Sequence, residues 1–490
     1  MENLVIFAKK KFTMDKFLTQ VKVTTESNVK KVLNVSARSV VFGCECANNI
    51  VSCTGKLIVN VIYVNTDNML AHSEVVSDFI EKSQTNVALS DIFALDDVNV
   101  EFYTESSSEV LCNIAHNITI SGIYKYEIQD LSKGGENLVF DKKEINTLKL
   151  LNTCEDNFVV AEESDSNIKN MNILSSNANI YALDVSCGVD KIIVDGKIVA
   201  DVIYEDGETI SNYIKEFEFK QEIQAQGVVP NMLVCTELKV KSITITPEDK
   251  DDKTNIIFAF DVYAKGYCYE ECNVQVASDM FSLSNEVQAT YDFVEAKNFH
   301  SQKLVNDIVT TSTNVADIEN FDDLLGVFEP KIKILALSED NEKVYFQGEV
   351  SAFAIYKAGE EYEKLIISSP TNFEFAKENN NYAYDAIAAA QISSYKVKAG
   401  KELEVIFKVD YSIETETIIS EKFIRSFEEK QEKSENLAGI KVYVTQKGET
   451  IFEVAKALSV KPEIIVSQNQ VDNVFEQGEK IYVYSPINLL

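Results

Sequence analysis

Side chains suited to acid–base or nucleophilic chemistry are scarce in this sequence, with 3 histidines and 9 cysteines in 490 residues. The histidines are His72, His116 and His300. The first two lie in or beside strand-like stretches, and the related stretches described below hold no matching histidine, so a structural role is expected. No Gly-x-Ser-x-Gly elbow is present to lift a serine nucleophile out of a strand–helix turn. Gly55–Lys56 and Gly196–Lys197 lack the preceding glycine of a phosphate loop. They also open strands, so no helix N-terminus would face a phosphate. The acidic run Glu248–Asp249–Lys250–Asp251–Asp252 lacks the spacing of a calcium loop and reads as a solvated turn. Cys44–Glu45–Cys46 with Cys53 forms a possible metal corner, but no second pair at ligand spacing completes a tetrahedral set. Cys53, Cys112, Cys187, Cys235 and Cys268 sit among Val, Ile and Tyr, where a free thiol behaves as a small buried hydrophobe. The odd number fits a reducing compartment. Among 78 acids no carboxylate pair stands out for glycosidase chemistry. The expectation is no catalytic centre, no metal and no cofactor.

The elements that would position any site must be several, because a single core stops growing well below this length. A 45% hydrophobic and 25% charged chain can build a core in every segment. The formal charge is −32, which repels phosphate backbones and anionic headgroups and argues against nucleic-acid or membrane binding. Met1 to Phe7 carries an acid and no basic n-region, the wrong order for a signal peptide. No apolar run approaches the ~20 residues that span a bilayer. A cytoplasmic protein without membrane insertion is expected.

Internal repetition organises the chain. Gly55–Lys56–Leu57–Ile58–Val59–Asn60–Val61–Ile62–Tyr63 returns as Gly196–Lys197–Ile198–Val199–Ala200–Asp201–Val202–Ile203–Tyr204. A weaker third copy is Gly348–Glu349–Val350–Ser351–Ala352–Phe353–Ala354–Ile355–Tyr356. The period of two gives one face Leu57, Val59, Val61 and Tyr63, the signature of a strand with one face on a core. Each copy closes on a second aromatic-rich strand, namely 118–127, 258–270 and 405–411. Val64–Asn68 and Glu205–Glu208 read as hairpin turns. The expectation is a mainly β protein of three antiparallel, sandwich-like units at 17–127, 170–270 and 328–425. The stretches 128–170 and 272–330 are less regular. Val305–Val309 and Asp322–Gly326 there read as short helices or connecting strands. Glu428–Asn436, within a 428–438 linker, carries no apolar residue.

The last segment, 439–490, reads differently. Val442–Thr445 forms a short strand and Gly448 turns the chain. Thr450 with Glu453 makes a capping box for a helix with Ile451, Val454, Ala455 and Leu458 on one stripe. Pro462 opens a second helix that buries Ile465 and ends near Asn469. Gln477–Gly478 then turns into a strand from Lys480 to Tyr484, giving the order βααβ.

That order, with Gly448–Glu449–Thr450–Ile451, Val454–Ala455, Val460, Ile465, Asn469, Gly478 and Ile481–Tyr482–Val483, resembles the LysM family. It departs from the family at Glu449, where Asp is usual, and at Phe452, where many members have Trp. The resemblance implies a shallow groove for N-acetylglucosamine polymers, lined here by Gly448, Glu449, Thr450, Ile451, Gln468, Asn469, Gln470 and Val471. The same residues also cap, end or turn elements, roles that require no sugar. Three such β-units followed by this module resemble the SPOCS-domain family of clostridial spore-coat proteins. Met280–Val287 also looks like that family's segment after a repeat. The resemblance implies a non-enzymatic assembly protein of the mother-cell cytosol, recruited to the forespore surface to localise or encase coat layers. Its implied partner is the coat's morphogenetic ATPase or another coat protein. The alternative is a peptidoglycan-binding tether.

Overall fold

The structure is a computed structural model. It describes all residues except 1–2, 87, 132–134, 136, 208, 251–252, 317, 319–320, 322, 399–400, 434–438, 472–473 and 485–490. Long alternating runs of β-branched and aromatic residues make strands almost throughout. The first unit comprises β1 (Asn3–Thr13), β2 (Phe17–Thr24), β3 (Val29–Ala47), β4 (Ile50–Asn65), β5 (Leu70–Gln84), β6 (Ser90–Glu105) and β7 (Glu109–Gln129). The second has β8 (Leu138–Ser166), β9 (Asn172–Cys187), β10 (Lys191–Glu205), β11 (Ile210–Gln224), β12 (Leu233–Lys250) and β13 (Lys253–Ser282). The third has β14 (Asn285–Asn314), β15 (Asp323–Glu339), β16 (Lys343–Ala358), β17 (Glu361–Ala376), β18 (Tyr382–Lys398) and β19 (Glu402–Glu432).

Each unit pairs two antiparallel sheets. The three glycine-marked strands, β4, β10 and β16, are the central strands of the meanders β3-β4-β5, β9-β10-β11 and β15-β16-β17. The closing strands β7, β13 and β19 are central in the second sheets. There the partners are β8 and β12 for β13, and β14 and β18 for β19. In the first unit β1 and β2 share one edge of β7 end to end, and β6 takes the other. The two turns expected from sequence lie between β4 and β5, where Asn68 takes φ 64°, and between β10 and β11, where Gly207 takes φ 88°.

Three expectations need correction. Each unit begins one strand earlier than 17, 170 or 328, because β1, β8 and β14 zip along closing strands about a hundred residues away in sequence. Of the two readings offered for Val305–Val309 and Asp322–Gly326, strand is the one found, in β14 for the first and from Asp323 in β15 for the second; Asp322 lies outside the described residues. The acidic stretch from Glu428 is not linker at its start. Glu428, Glu429 and Glu432 still pair with Gln288, Val287 and Asn285, and only 434–438 falls outside the described residues. Glu248–Lys250 likewise continue the β12–β13 ladder rather than a loop, while Asp251 and Asp252 are not described.

The marker glycines have a steric cause. Gly55 and Gly196 face Phe79 and Phe219 across the ladder. A Cβ on Gly55 would meet the Phe79 ring at 2.5 Å and the Val40 carbonyl at 2.5 Å. A Cβ on Gly348 would meet the Lys333 carbonyl at 2.7 Å, with Thr371 opposite instead of an aromatic.

The marker strands are buried on both faces toward their ends, not on one. Leu57, Val59, Val61 and Tyr63 fill the first unit's own core, as Ile198, Ala200, Val202 and Tyr204 fill the second's. The alternate residues Ile62, Ile203 and Ile355 converge with Leu33, Leu174 and Phe328 in one cluster shared by all three units. A second shared cluster joins Ile6, Ile128, Ile145, Val276, Val294 and Ile419, drawn from the first and last strands of each unit. Burying both faces of β4, β10 and β16 therefore welds three sandwiches into one block.

The last segment folds as β20 (Ile440–Val444), α1 (Ile451–Leu458), α2 (Pro462–Asn469) and β21 (Lys480–Tyr484), with β20 and β21 antiparallel. Residues 485–490 of this segment are outside the described set.

Candidate functional site

Local chemistry fixes the C-terminal segment. The Thr450 side chain accepts from the Glu453 N–H while the Glu453 carboxylate accepts from the Thr450 N–H at 2.8 Å, a capping box. Pro462 stands in the first turn of α2. Gly448 and Gly478 take φ of 86° and 88°, open only to glycine without strain. Ile451, Val454, Ala455, Leu458, Ile465, Ile481 and Val483 form the core beneath.

The residues expected to line a groove are largely committed to this fold. The Asn469 side chain donates to the Tyr482 carbonyl at 2.8 Å and accepts from its N–H at 2.8 Å. Gln468 accepts from the Tyr484 N–H at 2.8 Å and donates to its carbonyl at 3.3 Å. Together these two amides act as a surrogate strand along the outer edge of β21. Glu449 accepts from the Tyr443 hydroxyl and the Gln446 N–H. Ile451 is buried, Val471 packs on the core, and Gln470 is the left-handed cap of α2. The backbone N–H of Gly448 donates to the Phe475 carbonyl at 3.0 Å.

The opposite face of the two-stranded sheet is a different surface. Ile440 pairs with Tyr484 and Val442 with Tyr482, so these four side chains and Val444 point the same way. Their exposures are 63%, 54%, 53%, 39% and 56% in that order. These five adjacent apolar or aromatic side chains on one small sheet form a contiguous exposed patch rather than scattered surface residues.

The segment is seated on the β-block rather than hung from it. Phe452 of α1 meets Phe281 of β13 edge-on at 5.4 Å between centroids, and Val139 and Leu283 join the same cluster. Lys456 pairs with Asp279 at 2.6 Å, and Lys433 reaches both the Ser282 carbonyl and the Ser459 hydroxyl. Burial pushes the Asp279 carboxyl up, yet Lys456, the Met280 N–H and the Tyr291 hydroxyl outweigh it and hold it below the usual range. Met280–Val287, singled out in the sequence, is the hairpin on which the segment sits.

Elsewhere, polar groups concentrate where units meet. Lys9 of β1 is 6% exposed and its Nζ lies 3.0 Å from both Glu237 of β12 and Glu414 of β19. Lys11 adds contacts to Glu414 and Asp385. Burial would raise the Glu414 carboxyl, but Lys9 and Lys11 lower it to about 2. Lys197 of the second unit meets the buried Asp410 of the third at 3.3 Å. Asp201, at the junction of the marker strands, is pushed up to about 7 by burial and by Glu329.

Of the histidines, His116 is fully buried, stacked on Phe17 and bonded through Nδ1 to Asp96 at 2.7 Å. Ser39 donates to the same carboxylate oxygen, so imidazole and hydroxyl share an acceptor and do not touch as base and nucleophile. His300 bonds the Tyr382 hydroxyl at 3.1 Å, and His72 pairs with Ile62 in a ladder. Sequence reading missed the Asp96 partner, which lies on a strand with no marker.

Cysteine usage also differs from expectation. Cys44 and Cys53 face each other across β3 and β4 and form a disulfide, with Cα atoms 4.2 Å apart. Cys53, expected as a free buried thiol, is thus bonded to Cys44, while Cys46 is free. The described residues hold no group of three or more potential ligands placed to share a metal ion.

Among the described residues no helix is long and apolar enough to cross a membrane. No curated protein matches the chain. A family model described as "SipL, SPOCS domain" matches residues 171–248, which hold the whole β9-β10-β11 meander and almost all of β12, and it brings to the second unit an association with the spore coat.

Proposed function

We propose that this chain is a non-enzymatic scaffold of the bacterial spore coat that localises or encases coat layers around the forespore through protein–protein contacts. The observation that carries it is the exposed apolar face of β20 and β21, formed by Ile440, Val442, Val444, Tyr482 and Tyr484. The C-terminal segment then serves as a LysM-type docking module, and the three β-units as the body that fixes its position. The family match on residues 171–248 supports the spore-coat setting. Made in the mother-cell cytosol, the protein would be recruited to the forespore by the coat's morphogenetic ATPase or another coat protein. The internal commitment of Gln468 and Asn469 favours this reading, because those amides are not free for a sugar.

A second reading, a tether to peptidoglycan, is favoured by the exposed Tyr482 and Tyr484 rings, which could stack on sugar faces. One experiment separates the two. The full chain and a Val442→Glu/Val444→Glu variant are assayed against the purified ATPase and against peptidoglycan sacculi. Binding to the ATPase that the variant loses by tenfold or more, with no sedimentation on sacculi, supports docking. Sedimentation on sacculi without protein binding refutes it in favour of the tether.

A further inference from the structure

Buried cations in this protein generally have carboxylates beside them: Lys9 meets Glu237 and Glu414, and Lys197 meets Asp410. One cleft breaks that pattern. Between β3 and β6 of the first unit and β8, β12 and β13 of the second lies a cavity of about 480 Å³. Its titratable lining is Lys239, Lys241, Lys265, Tyr263, Glu155 and Asp91. Lys239 Nζ donates to the carbonyls of Val41 at 2.7 Å and Ala94 at 3.4 Å, and lies over the rings of Phe93 and Tyr263. Lys265, 8% exposed, has the Ile92 carbonyl at 3.4 Å, and Lys241 the Asn157 side-chain oxygen at 3.0 Å. Among the described residues none of the three ammonium groups has a carboxylate within 4.0 Å. The two acids of the cleft are engaged otherwise: Glu155 accepts from the Tyr263 hydroxyl, and Asp91 from Thr153.

A buried charge without a counter-charge is costly, and carbonyl dipoles compensate it only in part. Of the three lysines Lys265 is buried and Lys239 and Lys241 are partly buried, and in a chain with 78 acidic and 46 basic residues their facing one cavity calls for an ion from outside. We propose that this cleft binds a small free oxyanion, of the size of phosphate or a short dicarboxylate, between the Lys239, Lys241 and Lys265 ammonium groups. The volume suits a small ligand. The −32 formal charge selects against an acidic macromolecule, whose many charges are repelled together, more than against a small anion. Bound there, the anion would neutralise the first and second units' shared wall.

Lys239 also supplies a pH signature. Burial, with Lys241 and Lys265 close by, brings its ammonium down to about 8 against the opposing pull of Glu237. Binding needs the ammonium form, so affinity should fall as pH rises past that value.

Isothermal titration of the full chain at pH 7 with inorganic phosphate, and separately with succinate, tests the assignment. Saturable binding at one site per chain is expected for at least one anion, and which one binds identifies the chemistry. Lys239→Met and Lys265→Met should each weaken it tenfold or more, and raising the pH to 9 should do the same for the parent. Lys16→Met, which removes an exposed lysine paired with Glu101, should change nothing. Melting curves guard against misfolding: losing an uncompensated cation should leave Lys239→Met as stable as the parent or more so. Absence of saturable binding with both anions, binding indifferent to both lysine variants, or a lower melting temperature for Lys239→Met would overturn the proposal.

Discussion

Replacing Lys9 by Met tests whether charge holds the three units together. Lys9 belongs to the first unit, Glu237 to the second and Glu414 to the third, and the lysine side chain is 2% exposed against 12% for each acid. Lys9→Met leaves both carboxylates in place. Glu237 retains the Ser121 and Tyr267 hydroxyls, and Glu414 retains Lys11. Breaking one partner out of a buried ion pair costs roughly 3–5 kcal/mol, and the surviving donors should keep the loss near the lower end. Urea denaturation followed by far-UV circular dichroism would measure it, since the chain has no tryptophan. The pH dependence is a second handle. Glu414 has a depressed value, about 2 instead of 4.5, so its contribution is present above 4.5 and is lost as pH falls toward 2. The penalty of Lys9→Met should therefore shrink over that window. Adding Glu414→Met removes a buried carboxylate that Lys11 alone would then offset, and should recover part of the loss, on the order of 1–2 kcal/mol. A Lys9→Met cost below about 1 kcal/mol at pH 7, or a double variant no better than the single one, would refute the view that this network is a buried lock.

Asp201 predicts the opposite slope. Its value is raised from 3.8 to about 7, so the folded state binds the proton more tightly, and stability should fall as pH rises from 4 to 7 and level off above. Asp201→Asn should flatten that slope and stabilise the protein at pH 8 by roughly 2–4 kcal/mol, read from urea midpoints at pH 4 and 8; a slope unchanged in the variant would exclude Asp201 as its source. Phe452→Ala removes the ring that meets Phe281 and should cost roughly 2–4 kcal/mol of local stability. Hydrogen exchange should report it in α1 and β21 while the β-units stay protected, and equal loss of protection in both would count against a separately seated segment.

How much of this was legible in sequence follows from how local each feature is. The glycine-marked strands announced themselves because period-two alternation and the Ile–Tyr pair are written in consecutive residues. The helices of the last segment were legible for the same reason: Thr450, Glu453 and Pro462 act within a turn of where they stand. The destination of Ile62, Ile203 and Ile355 was not legible. Alternation says that the two faces of a strand differ, but an apolar outer face packs on another unit only once three units meet. The opening strands were missed because β8 pairs with residues 254–282, a register that no local pattern encodes. The disulfide was hidden by a local irregularity instead: Cys44 and Cys53 are opposed only because β3 and β4 pair with a shift between Val41 and Gly43. The candidate groove was legible as a set of residues but not in its use. Asn469 and Gln468 are spent on the edge of β21, whereas the exposed face opposite was concealed in an ordinary Ile–Lys–Val–Tyr–Val alternation.

The seating of the last segment constrains how any docking surface on it can work. Phe281, Val139 and Leu283 belong to the second unit, yet they complete the cluster around Val454, Ala455 and Phe475. Cut away from the β-block, the segment would bare Phe452 and that side of its cluster, creating a second apolar surface absent from the whole chain. Capture of partners by such a fragment would then mix the natural face of β20 and β21 with an artificial one. In the whole chain the Phe281 contact and the Lys456–Asp279 pair fix α1 against β13. The β20–β21 face consequently has a set orientation relative to the two junctions that bind the three units. Under the proposed scaffold role that relation would matter: a partner docked on Val442 and Tyr482 would be placed at a defined distance and angle from everything else the block touches. Loss of Phe452 would then leave the proposed docking face exposed as before but free its placement.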